Sequence, residues 1–169
     1  PFIKYLDDVT VVSTSVDPLD CGMQCTIDYL LKWCDMNSMR LNVKKTKEMV
    51  LVFGSKCKLV SCSPLQSSSG LIEQVSEFKI LGVVLSADLS WSRHVNCIVS
   101  KASKRLFAIC QLARCGFPHC DIVSVYCSLI RPILEYACQV WHCGLSKALS
   151  DEVESVQKRC LRIIFPLLS

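Results

Sequence analysis

Residues 89–118 read Leu-Ser-Trp-Ser-Arg-His-Val-Asn-Cys-Ile-Val-Ser-Lys-Ala-Ser-Lys-Arg-Leu-Phe-Ala-Ile-Cys-Gln-Leu-Ala-Arg-Cys-Gly-Phe-Pro. Val95, Ile98, Val99, Ala102, Leu106, Ile109 and Leu112 recur at helical spacing and predict one long amphipathic helix. Cys115, Gly116, Phe117 and Pro118 stop it. Downstream the same period continues. Ile122, Val125, Tyr126, Leu129 and Ile130 predict a second helix, which Pro132 kinks or restarts. Leu134, Ala137, Val140 and Trp141 carry it on to Gly144. Leu149, Val153, Val156, Cys160 and Ile163 predict a last helix, supported by a Glu154–Lys158 pair and closed by Pro166.

Upstream the period is different. Phe2, Ile3 and Tyr5 precede a polar centre, and Val9, Thr10, Val11 and Val12 follow it, so residues 2–12 predict a hairpin. A helix is expected over residues 19–39, on Met23, Ile27, Leu30, Leu31 and Cys34. Residues 49–53 read as a short strand closed by Gly54, and residues 56–62 as a weak partner for it. Residues 63–70 read as a loop by composition. Residues 78–85 read as a strand with a bend or a close backbone approach at Gly82. The fold class is therefore α+β up to about residue 90 and all-helical after it, without repeats.

The chain has 169 residues, 51% of them hydrophobic and 20% charged, so it is globular and long enough for one or two small cores. It opens on Pro1 with no charged segment ahead of an apolar run. We therefore expect a fragment without a signal peptide. No apolar run is long enough to span a bilayer. The thirteen cysteines are odd in number, and Cys34, Cys110 and Cys160 sit at apolar helical positions. We expect free thiols in an intracellular protein, cytoplasmic or nuclear and not secreted. The spacing C-x4-C occurs at 57/62, 115/120 and 138/143 with no C-x2-C partner, which argues against zinc at Cys138, His142 and Cys143.

The net charge of +4 is unevenly placed. Residues 89–120 carry five Arg or Lys and no acid, against −1 before them and 0 after. Arg93, Lys101, Lys104 and Arg105 lie largely off the apolar stripe, so one face of the helix packs and another is basic. A solvated helix face would look similar, but the absence of acids favours a polyanion contact.

Tyr5-Leu6-Asp7-Asp8 is the group that could carry chemistry. Adjacent carboxylates repel each other unless something compensates them. Mg²⁺ does so with one or two carboxylates, phosphate oxygens and waters, and a pair of such ions serves phosphoryl transfer. Taken alone, two Asp at a hairpin tip are usually just an ordinary turn.

The order of features along the chain resembles reverse transcriptases of non-LTR, LINE-like retrotransposons. Tyr5-Leu6-Asp7-Asp8 is similar to their Y/F-x-D-D palm hairpin. Asn42-Val43-Lys44-Lys45-Thr46 is similar to N-x-x-K-T, and Phe78-Lys79-Ile80-Leu81-Gly82 to F-x-x-L-G. Leu85-Ser86-Ala87-Asp88-Leu89-Ser90-Trp91 resembles the L-S-x-D-L-x-W that leads into the thumb, followed here by His94. Ile130-Arg131-Pro132-Ile133-Leu134-Glu135-Tyr136-Ala137 resembles I-R-P-x-L-E-Y-A, and Val156-Gln157-Lys158-Arg159 resembles V-Q-K-R.

The resemblance implies a partial polymerase palm over residues 1–90, antiparallel hairpins plus a helix, and an all-helical thumb over residues 91–169. It implies two-metal nucleotidyl transfer that extends a DNA primer on an RNA template, with deoxynucleoside triphosphates and Mg²⁺, Mn²⁺ being the alternative ion. Asp7 would be a principal metal ligand with Asp8 beside it, and Tyr5 would lie near the primer end. Lys45 is a candidate general acid for pyrophosphate, although with Lys44 and Lys47 it also reads as one of a surface run. Phe78, Leu81 and Gly82 would form the primer grip, or an ordinary buried strand. Arg93, Lys101, Lys104 and Arg105 would face the template–primer backbone. Leu6 departs from the family, which usually has Ala there. The fingers and an upstream palm Asp would come from the rest of the same polyprotein, so the isolated chain is expected to be inactive. Two other readings stay open: a non-catalytic nucleic-acid-binding remnant of a decayed mobile element, and an unrelated α+β interaction protein.

Overall fold

The structure is a computed structural model that describes residues 2–5, 8–14, 22–51, 64–67 and 70–166. The chain divides into two compact units, Pro1–Phe78 and Lys79–Ser169.

In the first unit, β1 (Phe2–Tyr5) and β2 (Asp8–Val11) pair antiparallel, from Phe2↔Val11 to Tyr5↔Asp8. The expected hairpin is present, with residues 6 and 7 outside the described residues. The predicted helix is α1 (Gly22–Met36), and residues 19–21 of that expectation are not described. It ends where Ser38 takes a positive φ of 55°. Lys4 Nζ lies 5.3 Å from the centroid of the Trp33 ring on α1, a cation–π contact.

The next stretch departs from expectation. Residues 49–51 are not a strand; residues 52–63 lie outside the described ones. Instead β3 (Lys47–Glu48) pairs parallel with a later strand, β6 (Glu73–Gln74), and a Lys47–Glu73 ion pair sits on that ladder. Part of the expected loop is also a ladder. β4 (Gln66–Ser67) pairs antiparallel with β5 (Gly70–Leu71). The Gln24 amide grips Gln66 of β4 by both its backbone groups, donating to Gln66 O at 2.9 Å and accepting from Gln66 N–H at 2.9 Å. Ile27, Leu65 and Ile72 form the small apolar core here, with Met23 and Leu31 against it.

The apolar run at 78–85 is not one bent strand but two. β7 (Glu77–Ile80) and β8 (Val83–Ser86) pair across Leu81 and Gly82. Both turn residues have positive φ, 45° and 92°, the backbone that a two-residue hairpin turn demands.

α2 (Ser92–Arg114) follows the expected stripe: Val95, Ile98, Ala102, Leu106 and Ile109 are buried. Gly116, at φ 75°, lets the chain turn out of it. α3 (His119–Leu129) leads to α4 (Arg131–Glu135), which Pro132 opens from its first turn, where proline costs no hydrogen bond. The expected run on to Gly144 is broken. Tyr136 leaves helical geometry and Ala137 sits at φ 52°, ψ 30°. α5 (Cys138–Trp141) and a 3₁₀ turn (His142–Gly144) then take a new direction. The last helix, α6 (Lys147–Ile164), starts at Ser146, whose Oγ accepts from Leu149 N–H at 3.4 Å. Its Glu154–Lys158 pair is present at 2.8 Å.

The second unit closes on Ala102, Leu106, Ile109, Ile122, Ile130, Leu134, Val156, Cys160 and Ile164. The division between units lies at residues 78 and 79, upstream of the position near 90 read from the change of period. The physical reason is that residues 81–84 are hydrogen-bonded to α2 and to Tyr136. The ten described cysteines are free thiols.

Candidate nucleic-acid and metal site

The carboxylate hairpin is only partly in view. Asp8 is exposed at the start of β2, opposite Tyr5 in register. Leu6 and Asp7 lie outside the described residues. Among the described residues no group of three His, Cys, Asp or Glu is placed to hold a metal, Cys138, His142 and Cys143 included. An exposed Asp8 next to Asp7 in sequence suits an ion that takes one or two carboxylates and completes its shell with phosphate and water.

The Asn42–Thr46 motif is a closed turn. Lys45 N–H donates to Asn42 O at 3.0 Å, with Asn42 Oδ1 at 3.3 Å, and the Thr46 hydroxyl donates to Asn42 O at 2.9 Å. Asn and Thr are thereby explained as turn formers. Lys45 is exposed, and among the described residues it makes no ion pair with Asp8. Sequence reading passed over Glu48, whose Oε2 is buried without a partner and whose pKa is raised by desolvation.

The hairpin of β7 and β8 carries Phe78, Leu81 and Gly82. Phe78 is half-buried, whereas Leu81 and Gly82 are exposed. A Cβ on Gly82 would stand 2.9 Å from Cε1 of Tyr136. The ring already fills that side, so Gly82 is required by packing and by its φ; a primer is not needed to account for it. Tyr136 Oη donates to Leu81 O at 2.8 Å.

Residues 85–91 form the joint into α2. Leu89 N–H donates to Ser86 O at 2.8 Å, and Asp88 Oδ1 accepts from Ser90 N–H at 3.0 Å. That last bond holds the Asp88 carboxyl below its usual range. The Trp91 indole occupies the place a Cβ on Gly144 would need, with Nε1 2.6 Å away. His94, 1% exposed, accepts Val84 N–H at Nδ1 (3.3 Å) and meets Trp141 edge to face at 5.3 Å. Desolvation, then the charge of Lys101, lowers its pKa.

On α2, Arg93, Lys101, Lys104 and Arg105 are all exposed. They are not equivalent. Arg105 donates to Leu129 O at 2.9 Å, satisfying a terminal carbonyl of α3, so part of its role is structural. Phe107 stands two-thirds exposed on the same helix, between Lys104 and Arg114 in sequence. In α4, the Arg131 Nε donates to both oxygens of Glu135, at 2.8 and 2.9 Å. Ile130 and Leu134 of the same motif are core residues.

These positions can be set beside known proteins. The chain is 26% identical over 166 residues to the RNA-directed DNA polymerase from mobile element jockey of Drosophila melanogaster. It is 24% identical over 164 residues to the jockey polymerase of Drosophila funebris, and 23% over 164 to the probable RNA-directed DNA polymerase from transposon BS of Drosophila melanogaster. Each match covers 95% of this chain. This chain is similar, over nearly its whole length, to RNA-directed DNA polymerases from mobile elements. It spans less than a fifth of those relatives, 17 to 18% of their length. No family model matches the chain, and no solved structure does. No described helix is long and apolar enough to cross a membrane.

Proposed function

We propose that the chain is a segment of a reverse transcriptase that brings the Asp7–Asp8 carboxylates to the site of nucleotidyl transfer and lays α2 along the template–primer backbone. The observation that supports this most is the antiparallel pairing of residues 2–5 with residues 8–11, with Tyr5 opposite Asp8, in a chain similar over 95% of its length to mobile-element polymerases. Asp7 and Asp8 would hold Mg²⁺, or Mn²⁺ in its place. The bound ion would activate the primer 3′-hydroxyl and neutralise the pyrophosphate. Lys45, exposed on a closed turn, would supply a proton to that leaving group. Tyr5, Phe78, Leu81 and Gly82 would meet the primer strand, and Arg93, Lys101, Lys104 and Arg105 the phosphates. RNA template, DNA primer and deoxynucleoside triphosphates are the substrates.

Two-metal chemistry needs a further carboxylate and cations for the triphosphate. The 169-residue chain alone is therefore expected not to extend a primer. Joined to its own upstream coding sequence, it should do so on an RNA template with Mg²⁺, and Asp7→Ala should abolish the product. Extension that survives Asp7→Ala would remove the carboxylate hairpin from the mechanism. Lys101→Ala with Lys104→Ala should weaken template–primer binding for every sequence and reduce the salt slope by about one for each phosphate no longer neutralised; an unchanged slope would make that helix face merely solvated.

A further inference from the structure

The turn of Leu81 and Gly82 is held from beneath by a closed set of contacts. Tyr136 Oη donates to Leu81 O at 2.8 Å, and the ring lies against the Cβ side of Gly82. The backbone carbonyl of Tyr136 accepts from Trp141 Nε1–H at 2.9 Å. Trp141, 1% exposed, packs its indole on His94, and His94 Nδ1 accepts from Val84 N–H, two residues beyond Gly82. The path leaves the hairpin at Leu81 and returns to it at Val84. An isolated two-stranded hairpin is marginal in water, so this set of contacts fixes where the turn stands.

The arrangement is unusual in where it spends its one tyrosine hydroxyl. Leu81 and Tyr136 are each about half exposed, so water could serve both polar atoms. Tyr136 is instead fixed at its backbone by a buried tryptophan and stands at the surface to grip a turn whose outer side is open. Its own backbone departs from helical geometry at this point, and Ala137 next to it takes a left-handed conformation.

We propose that Tyr136 is a positioning residue. Its hydroxyl and ring hold the turn of Leu81 and Gly82 in one geometry, so that the outer side of the turn meets a nucleic-acid primer strand in a fixed register. This rests on the reading of the β7–β8 hairpin as a primer contact.

The test uses the 169-residue chain, a template–primer carrying a photoreactive base near the primer 3′ end, and the variant Tyr136→Phe, which keeps the ring and removes only the hydroxyl. The wild-type chain is expected to crosslink within residues 78–84. Tyr136→Phe should lower that yield several-fold and weaken template–primer binding, because the turn is no longer held in the bound geometry beforehand. It should still melt in one cooperative transition, lowered by no more than about 2–4 °C, and the salt slope from the α2 cations should stay as it was, which separates loss of register from loss of fold. Gly82→Ala, which drives a methyl into the Tyr136 ring, should reproduce the crosslinking defect. Unchanged crosslinks and affinity in both variants would overturn the role of Tyr136 and leave the primer contact standing. No wild-type crosslink within residues 78–84 would overturn the primer contact itself, and this proposal with it.

Discussion

The two compact units are held together by different means. Lys79–Ser169 closes on nine buried residues drawn from α2, α3, α4 and α6 and from Ile130 between α3 and α4. Among its described residues, Pro1–Phe78 has Ile27, Leu65 and Ile72 as its buried apolar cluster, joined by polar ties such as the Gln24–Gln66 grip, the Lys47–Glu73 pair and Lys4 over Trp33. Polar ties of that kind at the surface contribute little each, while apolar burial scales with area removed from water. On α1, Tyr29 and Met36 stand 71% and 85% exposed. Among the described residues, the helical unit has the larger apolar core and the unit with the carboxylate hairpin the smaller one.

The sharpest way to break this contrast is truncation in each core. Ile109→Ala, fully buried on α2, should cost about 2–5 kcal/mol in chemical denaturation. Ile27→Ala should cost clearly less, because its cluster is small and its site can collapse. Equal costs would mean the first unit is as well packed as the second. A smaller effect comes with pH. The folded His94 imidazole binds its proton less readily than the ordinary value of 6.5. Its contribution is thus complete above about pH 6.5 and is lost as pH falls through that value and below it. The helical unit should lose stability on acidification from about pH 7 to about 5.5, and His94→Gln should flatten that slope; a slope that is the same in the variant would assign it to other groups. The smallest effect is in thiol chemistry. Burial, and then Cys110, push the Cys160 thiol up to about 11. At about pH 8 it should therefore resist alkylation while half-buried Cys34 on α1 reacts, as peptide mass spectrometry would record. Labelling of Cys160 as fast as Cys34 would show the helical core opening as readily as the first unit.

Periodic segments were legible from residues alone. The stripe from Val95 to Ile109 and that from Val153 to Ile163 each repeat over several turns, and such patterns survive whatever surrounds them. The hairpin at residues 2–11 was legible because β-branched residues flank a polar pair. What escaped had no local signal. The parallel pairing of Lys47 with Glu73 is non-local and two residues long. The ladder of Gln66 with Leu71 lies in a stretch whose composition says loop. The break at Tyr136 needed Ala137 in a left-handed conformation, which alanine rarely adopts, and no helix breaker marks it. Leu81 at positive φ hid a turn inside an apolar run for the same reason. The motif residues fared unevenly: Asn42, Thr46, Arg131, Pro132 and Glu135 each have a plain structural use, whereas Asp8 and Lys45 are exposed and, among the described residues, make no ion pair with each other.

The three tryptophans are divided between the units in a useful way. Trp33 lies on α1 beneath Lys4, and Trp91 and Trp141 flank His94 at the base of the hairpin grip. Intrinsic fluorescence consequently reports on two places at once. With Trp33 replaced by Phe, the remaining emission comes from the helical unit alone, and the difference from the parent spectrum is a record of the carboxylate unit by itself. The molecule thus carries, without any added dye, a separate optical signal for each half.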